Sequence, residues 1–314
     1  MKKIVVAPDS FKGSLTSAEV ADAVERGIKD VFPQCNVVKA GVADGGEGTV
    51  EAIVKAVGGD MYAASVTDPL GRPVKAAYGI VRSGGVKTAV MEMSAASGLP
   101  LLLPDELNPW ITSTYGTGEM ISDALNRGCR KFLVGIGGSA TNDAGTGMLS
   151  ALGVRFLDSR GQRLKGCGRD LESIARIDMS SLMPAARESE FIVACDVNTP
   201  FCGPDGAAHV FAPQKGADPQ TAEALDRGMR SFARVIAGQF QTDIVPLSGA
   251  GAAGGLGGAF KAFLNARLTA GIEMVLDAIA FDSLLEGADL VITGEGRIDA
   301  QTAAGKTAAG VLRH

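Results

Sequence analysis

Short apolar runs, each followed by a polar or glycine-rich loop and then by an amphipathic stretch, recur along this chain. The first unit has an apolar run at 3–7 and a helical pattern at 17–30. The second has an apolar run at 36–42, a loop at 44–49 and a helical pattern that ends near Gly58. This alternation predicts βαβ units around a parallel sheet, with functional loops at the carboxyl ends of the strands. We therefore expect an α/β protein.

The middle of the chain follows a different pattern before the α/β pattern returns. Alternating apolar runs between 62 and 93, interrupted by glycine-containing turns, predict antiparallel strands. Further along, the periodicity predicts helices at 112–128 and 141–152 and strands at 131–136, 191–194, 243–247 and 290–292. The sequence shows no internal repeat and no low-complexity linker.

Charge and composition exclude several classes of protein. A net charge of −5, with both signs interspersed, provides no basic face for a nucleic acid. No segment reaches the roughly 18 apolar residues that a membrane span requires. Two histidines leave little for a histidine metal site or a Ser-His-Asp triad. Five cysteines without a CxxC pair indicate reduced thiols, and we expect a cytoplasmic protein whose partners are small molecules, with a homodimer left open.

The richest glycine cluster follows the apolar run at 131–136. Glycine is about twice as frequent as usual, with 42 residues in 314, and it gathers where backbone would approach a ligand closely. A helix that begins near this cluster would present free N–H groups to a phosphate or carboxylate. The candidate ligands are Gly137, Gly138, Ser139, Thr141 and Asn142. The alternative interpretation is an ordinary strand–helix turn in which Thr141 or Asn142 caps the helix.

Three matches to nucleotide-binding motifs carry little weight. Residues 249–254 fit G-x-G-x-x-G and 135–140 fit its relaxed form, but neither lies in the early βαβ unit that a dinucleotide fingerprint occupies. Residues 300–307 resemble a Walker A loop that begins with alanine. The preceding strand ends near Thr293, so the connection is too long for a phosphate cradle and the match is accidental.

Charged residues follow four of the expected strands. Lys12 follows the first, Asp44 the second, Asp196 the strand at 191–194, and Glu295 and Arg297 the last. Each alone is more typical of a cap or a turn. Together they provide what phosphoryl transfer needs, which is carboxylates for Mg²⁺, cations for phosphate charge and a carboxylate that orients a hydroxyl group.

Two further polar residues are less informative. Lys215 would add another cation, although a surface turn explains it equally well, and His209 is interpreted as structural.

Taken together, nine segments resemble the bacterial glycerate kinases of the two-domain, non-P-loop type. The segments are Ala7–Ser14, Val42–Thr49, Met91–Leu99, Tyr115–Glu119, Gly135–Asp143, Ala194–Val197, Pro213–Ala217, Gly249–Gly255 and Val291–Asp299. The resemblance covers the whole chain and implies transfer of the γ-phosphate of ATP to glycerate, generally giving 2-phosphoglycerate. It also implies a Rossmann-like domain built from 1–66 and 272–314, an inserted α/β domain at 67–271, and an active cleft between them. Members of this family continue for several strand–helix units beyond the Gly-Lys segment, so we expect the sequence to be truncated at its C-terminus.

Residue chemistry suggests how these groups would act in an Mg²⁺-dependent in-line transfer. The glycine-rich loop at 137–142 would bind the ATP phosphates, and Asp196 and Glu295 would bind Mg²⁺. Lys12 and Arg297 would neutralise phosphate or the glycerate carboxylate. Asp44 or Asp196 would accept the hydroxyl proton.

Two other functions remain open at this point. A nicotinamide-dependent hydroxyacid dehydrogenase is supported only by the G-x-G-x-x-G match. A non-catalytic sensor of glycerate or nucleotide would bind its ligand without releasing ADP.

Overall fold

The computed structural model describes residues 1–11, 13–83, 85–297 and 307–314, and it has the expected α/β architecture. The strands are β1 (Lys3–Pro8), β2 (Asn36–Lys39), β3 (Gly59–Thr67), β4 (Pro73–Ser83), β5 (Val86–Glu92), β6 (Lys131–Gly135), β7 (Arg155–Leu157), β8 (Arg176–Asp178), β9 (Glu190–Ala194), β10 (Arg267–Thr269) and β11 (Leu290–Gly294). The α-helices are α1 (Ser17–Val31), α2 (Thr49–Val57), α3 (Ser94–Ser97), α4 (Tyr115–Asn126), α5 (Thr146–Ala151), α6 (Pro184–Arg187), α7 (Ala207–Phe211), α8 (Pro219–Phe240), α9 (Ala252–Leu264), α10 (Gly271–Ala278), α11 (Phe281–Leu285) and α12 (Thr307–Arg313).

The strands form two main sheets. A three-stranded parallel sheet has the order β11-β1-β2, so it joins the two ends of the chain. A six-stranded sheet has the order β10-β9-β6-β5-β4-β3. Its first four strands are parallel, and β4 and β3 continue it antiparallel, which confirms the prediction for the region between 62 and 93. Strands β7 and β8 form a small separate antiparallel pair.

Strand β1 is apolar on both faces because both faces are covered. Ile4 and Val6 pack with Ala21 and Ile28 of α1, whereas Val5 and its neighbours contact the core on the opposite side. A parallel strand covered on both faces has a continuous apolar run, which is the pattern that the sequence shows at 3–7.

Helices α2 and α10 lie between the two sheets and join them in one core. Ile53 of α2 and Val275 of α10 pack in the same cluster as Val5 of the three-stranded sheet and Leu133 and Ile192 of the six-stranded sheet. The other face of the six-stranded sheet packs on a larger cluster that includes residues of α4, α5, α8 and α9. The shared core fixes how the carboxyl ends of the two sheets face each other.

Several expected boundaries are wrong. Residues 243–247 form no strand, and the helix expected from residue 141 begins at Thr146. The helix expected from residue 112 begins at Tyr115.

The division into domains at 66/67 and 271/272 stays a prediction. Strand β3, at Gly59–Thr67, pairs with β4 in the six-stranded sheet. Within the ranges that the structure describes, no helix combines the length and apolarity needed to cross a membrane.

Candidate active site

The loop 44–48, which follows β2, packs directly against the carboxyl edge of the six-stranded sheet. A methyl group on Gly45 would lie 2.6 Å from Cβ of Ala194, at the end of β9. One on Gly135, at the end of β6, would lie 2.4 Å from the carbonyl oxygen of Gly45. Contacts this short leave no space for any side chain. The glycines therefore bring loop 44–48 from one sheet into backbone contact with the other.

Asp44 and Asp196 meet at the beginning of α10. Oδ1 of Asp196 accepts the N–H of Gly271 at 2.8 Å. A methyl group on Gly271 would lie 1.9 Å from the carbonyl oxygen of Asp44, whose own Oδ1 accepts the N–H of Gly46 at 3.2 Å. The backbone of Asp44, from one sheet, and the carboxylate of Asp196, from the other, thus both contact Gly271.

The loop after β6 exposes Gly137 and Gly138 beside loop 44–48. A methyl group on Gly137 would lie 3.9 Å from Cα of Gly46, and Gly138 has a φ of +71°. Among the residues that the structure describes, none accepts a hydrogen bond from the N–H of Gly137 or Gly138, and both glycines are exposed. Two consecutive free N–H groups at an exposed turn form a concavity suited to an anion.

Thr141 and Asn142 lie behind this turn with fully buried side chains. Nδ2 of Asn142 contacts Sδ of Met229 at 3.3 Å. Oγ1 of Thr141 and Oδ1 of Asn142 have no hydrogen-bond partner within the described parts of the chain. Their role as ligands stays a prediction, and the exposed part of the loop is at 137–138.

The helix begins late because Asp143 organises a turn in front of it. Its buried carboxylate accepts four hydrogen bonds, from N–H and Oγ1 of Thr114, both at 2.8 Å, and from the N–H groups of Gly145 at 3.0 Å and Gly147 at 3.2 Å. Burial raises the pKa of this carboxyl, and the bonds from Thr114, Gly145 and Gly147 act in the opposite direction. Ala144 and Gly145 adopt φ values of +51° and +71°, which separate the glycine loop from α5. Asp143 was not among the predicted site residues, although the sequence places it two and four positions before Gly145 and Gly147, whose N–H groups it accepts.

Lys215 reaches the back of the glycine loop from a short 3-10 helix at Pro213–Lys215. Its side chain is 1% exposed, and Nζ donates hydrogen bonds of 2.7 Å to Oγ of Ser139 and to the carbonyl oxygen of Thr141. Burial lowers the pKa of this amine to about 7, while the charge of Asp143 acts to raise it. The surface-turn interpretation of Lys215 is wrong.

A cavity of about 900 Å³ borders loop 44–48, with Glu47 and Gly48 among its lining residues. It is lined by residues that follow β1 and β2, by α1 and α2, and by Glu92 at the end of β5. Oε1 of Glu92 accepts the N–H of Val50 at 3.1 Å, and burial raises the pKa of this carboxyl against that hydrogen bond. Glu92 lies within one of the segments that carry the family resemblance but was not a predicted site residue. Lys12 lies outside the described residues, and its neighbour Gly13 lines the cavity.

The last strand delivers Glu295 and Arg297 next to the loop after β1. The N–H of Asp9 donates to the carbonyl oxygen of Gly294 at 2.8 Å, which places both loops side by side. Arg297 is exposed, whereas Oε1 of Glu295 is buried and has no hydrogen-bond partner in the part of the chain that is described. In the same described part, no group of three or more His, Cys, Asp or Glu side chains is arranged to hold a metal ion.

Two of the nucleotide-type motifs have structural roles. Gly251 and Gly254 of the G-x-G-x-x-G match are packed at the beginning of α9, where methyl groups would lie 2.1 Å from the carbonyl oxygen of Pro200 and 2.2 Å from that of Thr141. This backbone has no room for a dinucleotide, so the dehydrogenase interpretation is not supported. Thr307 of the Walker-like segment donates a 2.6 Å hydrogen bond to the buried carboxylate of Asp9, and the rest of that segment lies outside the described residues.

Comparisons with known proteins agree with this geometry. The model of the glycerate kinase family matches residues 4–314. The glycerate kinase of Haemophilus influenzae is 49% identical over 311 residues, which cover 99% of this chain and 82% of that protein. The glycerate 2-kinase of Escherichia coli K12 is 47% identical over 309 residues, covering 98% and 81%. A crystal structure assigned as glycerate kinase 2 from Salmonella typhimurium LT2 matches with a TM-score of 0.94 and 47% identity, covering 99% of this chain and 83% of that one. The chain therefore belongs to the glycerate kinase family and is an enzyme of that family.

Proposed function

We propose that this enzyme transfers the γ-phosphate of ATP to a hydroxyl group of glycerate, with 2-phosphoglycerate as the favoured product. The observation that carries the proposal is the junction at which the free N–H groups of Gly137 and Gly138, loop 44–48 with Asp44, and the carboxylate of Asp196 come together. Phosphoryl transfer depends mainly on positioning and on stabilising charge, and this junction supplies both kinds of group. The matching relatives are named for the same reaction.

The ATP phosphates fit the glycine loop better than the neighbouring cavity. Among the described residues, that cavity is lined by six acidic side chains, those of Asp9, Glu19, Asp22, Glu47, Glu51 and Glu92. The lysines among its described lining residues are Lys39 and Lys55, and Lys39 is already paired with Asp22. The described part of this lining carries a net negative charge, whereas the free N–H groups of Gly137 and Gly138 attract an anion. We assign the ATP phosphates to this loop.

Asp196 and Glu295 are the side chains that we assign to Mg²⁺. Their fit rests on two observations. Oε1 of Glu295 is buried and has no hydrogen-bond partner among the described residues, and the carboxylate of Asp196 is exposed. Mg²⁺ in kinases keeps several waters and binds one or two carboxylates together with substrate phosphates, so a cluster of three protein ligands is not required. When bound, the ion neutralises negative charge on the phosphate groups.

The remaining roles follow from chemistry and position. Asp44 or Asp196 accepts the proton of the attacking hydroxyl group, and both lie at the junction where it would arrive. Arg297 and Lys12 neutralise phosphate or the glycerate carboxylate. We also propose a cleft between the two predicted domains and a cytoplasmic location, since all five cysteines are free thiols.

The proposed reaction is tested by ADP release from Mg-ATP in the presence of D-glycerate. L-glycerate, glycolate and tartronate are the substrate controls, and ³¹P NMR identifies the hydroxyl group that carries the phosphate. ADP release that depends on D-glycerate supports the proposal. Binding that raises the melting temperature without ADP release would instead identify a sensor.

Asp196→Asn tests the central carboxylate. Asparagine keeps the oxygen that accepts the N–H of Gly271, so folding should be preserved, while the negative charge is lost. We expect kcat to fall about 100-fold or more. Asp205→Asn changes an exposed aspartate and should leave kcat unchanged. A normal kcat in the Asp196 variant would remove Asp196 from the mechanism.

Lys12→Ala tests the predicted phosphate cation. We expect turnover to fall about 100-fold with an unchanged melting temperature, since a cation that stabilises transferring phosphate is worth this much. Lys261→Ala, on the exposed side of α9, is the matched control. A rate within twofold of the unmodified enzyme would contradict the role of Lys12.

A further inference from the structure

We propose that Lys215 is a positioning residue, which holds Ser139 and Thr141 from behind so that the loop 137–139 faces the bound phosphate in a fixed orientation. The proposal rests on the proposed function, because it assigns the phosphate of that reaction to this loop. Lys215 itself touches no substrate.

The hydrogen-bond chemistry of the contact determines the direction of the Ser139 hydroxyl group. In its charged form the ammonium group can only donate, so Oγ of Ser139 then accepts the 2.7 Å bond from Nζ of Lys215. The hydrogen of Ser139 then remains available as a donor. The bond from Nζ to the carbonyl oxygen of Thr141 holds the other end of the same turn.

The surroundings of Lys215 indicate that the residue has a functional role in addition to a structural one. The amine is fully buried, and none of the described carboxylates forms an ion pair with it. Asp143 is the acidic group whose charge acts on it. A buried cation without a paired anion is costly, and such groups concentrate at functional sites. An anion bound at Gly137 and Gly138 would supply the missing negative charge.

This arrangement couples anion binding to a proton. Because burial lowers the pKa of Lys215 to about 7, the amine is mostly neutral at pH 8 in the unliganded enzyme. A bound phosphate favours the charged form, so binding at pH 8 should take up a proton. At pH 6 the amine is already charged, and binding should take up none through this group.

The experiment measures proton uptake when Mg-ADP binds, by calorimetry at pH 8 in two buffers of different ionisation enthalpy. The unmodified enzyme and the Lys261→Met control should take up a fraction of a proton that Lys215→Met does not. The affinity of Lys215→Met for Mg-ADP should fall about tenfold or more. Equal proton uptake in all three proteins, or unchanged affinity, would overturn the proposal.

Two further measurements distinguish failure of this proposal from failure of the proposed function. Absence of ADP release with D-glycerate in the unmodified enzyme would contradict the proposed function, whereas the calorimetric difference reports on Lys215 alone. If Lys215→Met does not fold, Ser139→Ala is the second variant. The folded variant should bind Mg-ADP about tenfold more weakly, and normal affinity would contradict the orienting role.

Discussion

Gly271→Ala should lose about 2–3 kcal/mol of unfolding free energy and about 100-fold in kcat/KM. The added methyl group would lie 1.9 Å from the carbonyl oxygen of Asp44 and 2.8 Å from Cα of Gly45, both backbone atoms. Relief requires loop 44–48 and α10 to separate, which costs stability as overpacking does. A displacement of about 1 Å between catalytic groups costs about 100-fold in rate. Chemical denaturation and the ADP-release assay measure the two effects.

Gly27→Ala is the matched control for this substitution. Gly27 lies within α1, and a methyl group there would meet no atom within 4 Å. Alanine in a helix is favoured over glycine by about 1 kcal/mol, so this variant should be more stable and fully active. If Gly271→Ala were also stable and fully active, the packing of loop 44–48 against α10 would not depend on this contact. The inference that the contact positions Asp44 and Asp196 would then be contradicted.

Asp143→Ala should destabilise the enzyme by about 3–5 kcal/mol, which is the cost of removing one partner from a buried charged network. Three backbone N–H groups and the hydroxyl group of Thr114 would lose their acceptor together. The turn between the glycine loop and α5 depends on these bonds, so activity should be lost as well. Thermal unfolding and the ADP-release assay test this expectation.

Asp158→Ala provides the control for Asp143. Asp158 also accepts two backbone N–H groups, those of Arg160 at 2.9 Å and Gln162 at 2.8 Å, but in a solvent-exposed turn. Its loss should cost about 1 kcal/mol and no activity. Equal effects of the two substitutions would show that the burial of Asp143 adds nothing to its contribution to stability and activity.

The fold was predictable where local pattern and tertiary environment agree. The apolar run at 3–7 requires cover on both faces, and α1 on one side and the shared core on the other provide it. The meeting of Asp44 with Asp196 followed from the rule that functional loops lie at strand carboxyl ends. The expected strand at 243–247 failed although Ile244, Val245 and Leu247 are apolar. Pro246 has no N–H to donate, and the end of the six-stranded sheet is occupied by β10.

The details of the site depended on contacts that sequence patterns do not contain. Thr141 and Asn142 have the composition of ligands, but the left-handed Ala144 and the packing of Gly254 place them in the interior. Lys215 looks like a turn residue, but its buried amine bonds to Ser139, which is 76 positions away in the sequence. Ala144 is unusual because a residue with a side chain adopts positive φ there, and only tertiary contacts make such a conformation stable.

The three-stranded sheet imposes an order of events during synthesis on the ribosome. Its central strand, β1, emerges first, but its partner β11 begins at Leu290, and Pro8 pairs with Gly294. At 5–20 residues per second, about 15–60 s separate these two residues. The six-stranded sheet is complete once β10 has emerged, so it can assemble while β1 still lacks one neighbour. During that interval β1 pairs only with β2, and the edge of β1 that later pairs with β11 has unpaired backbone groups.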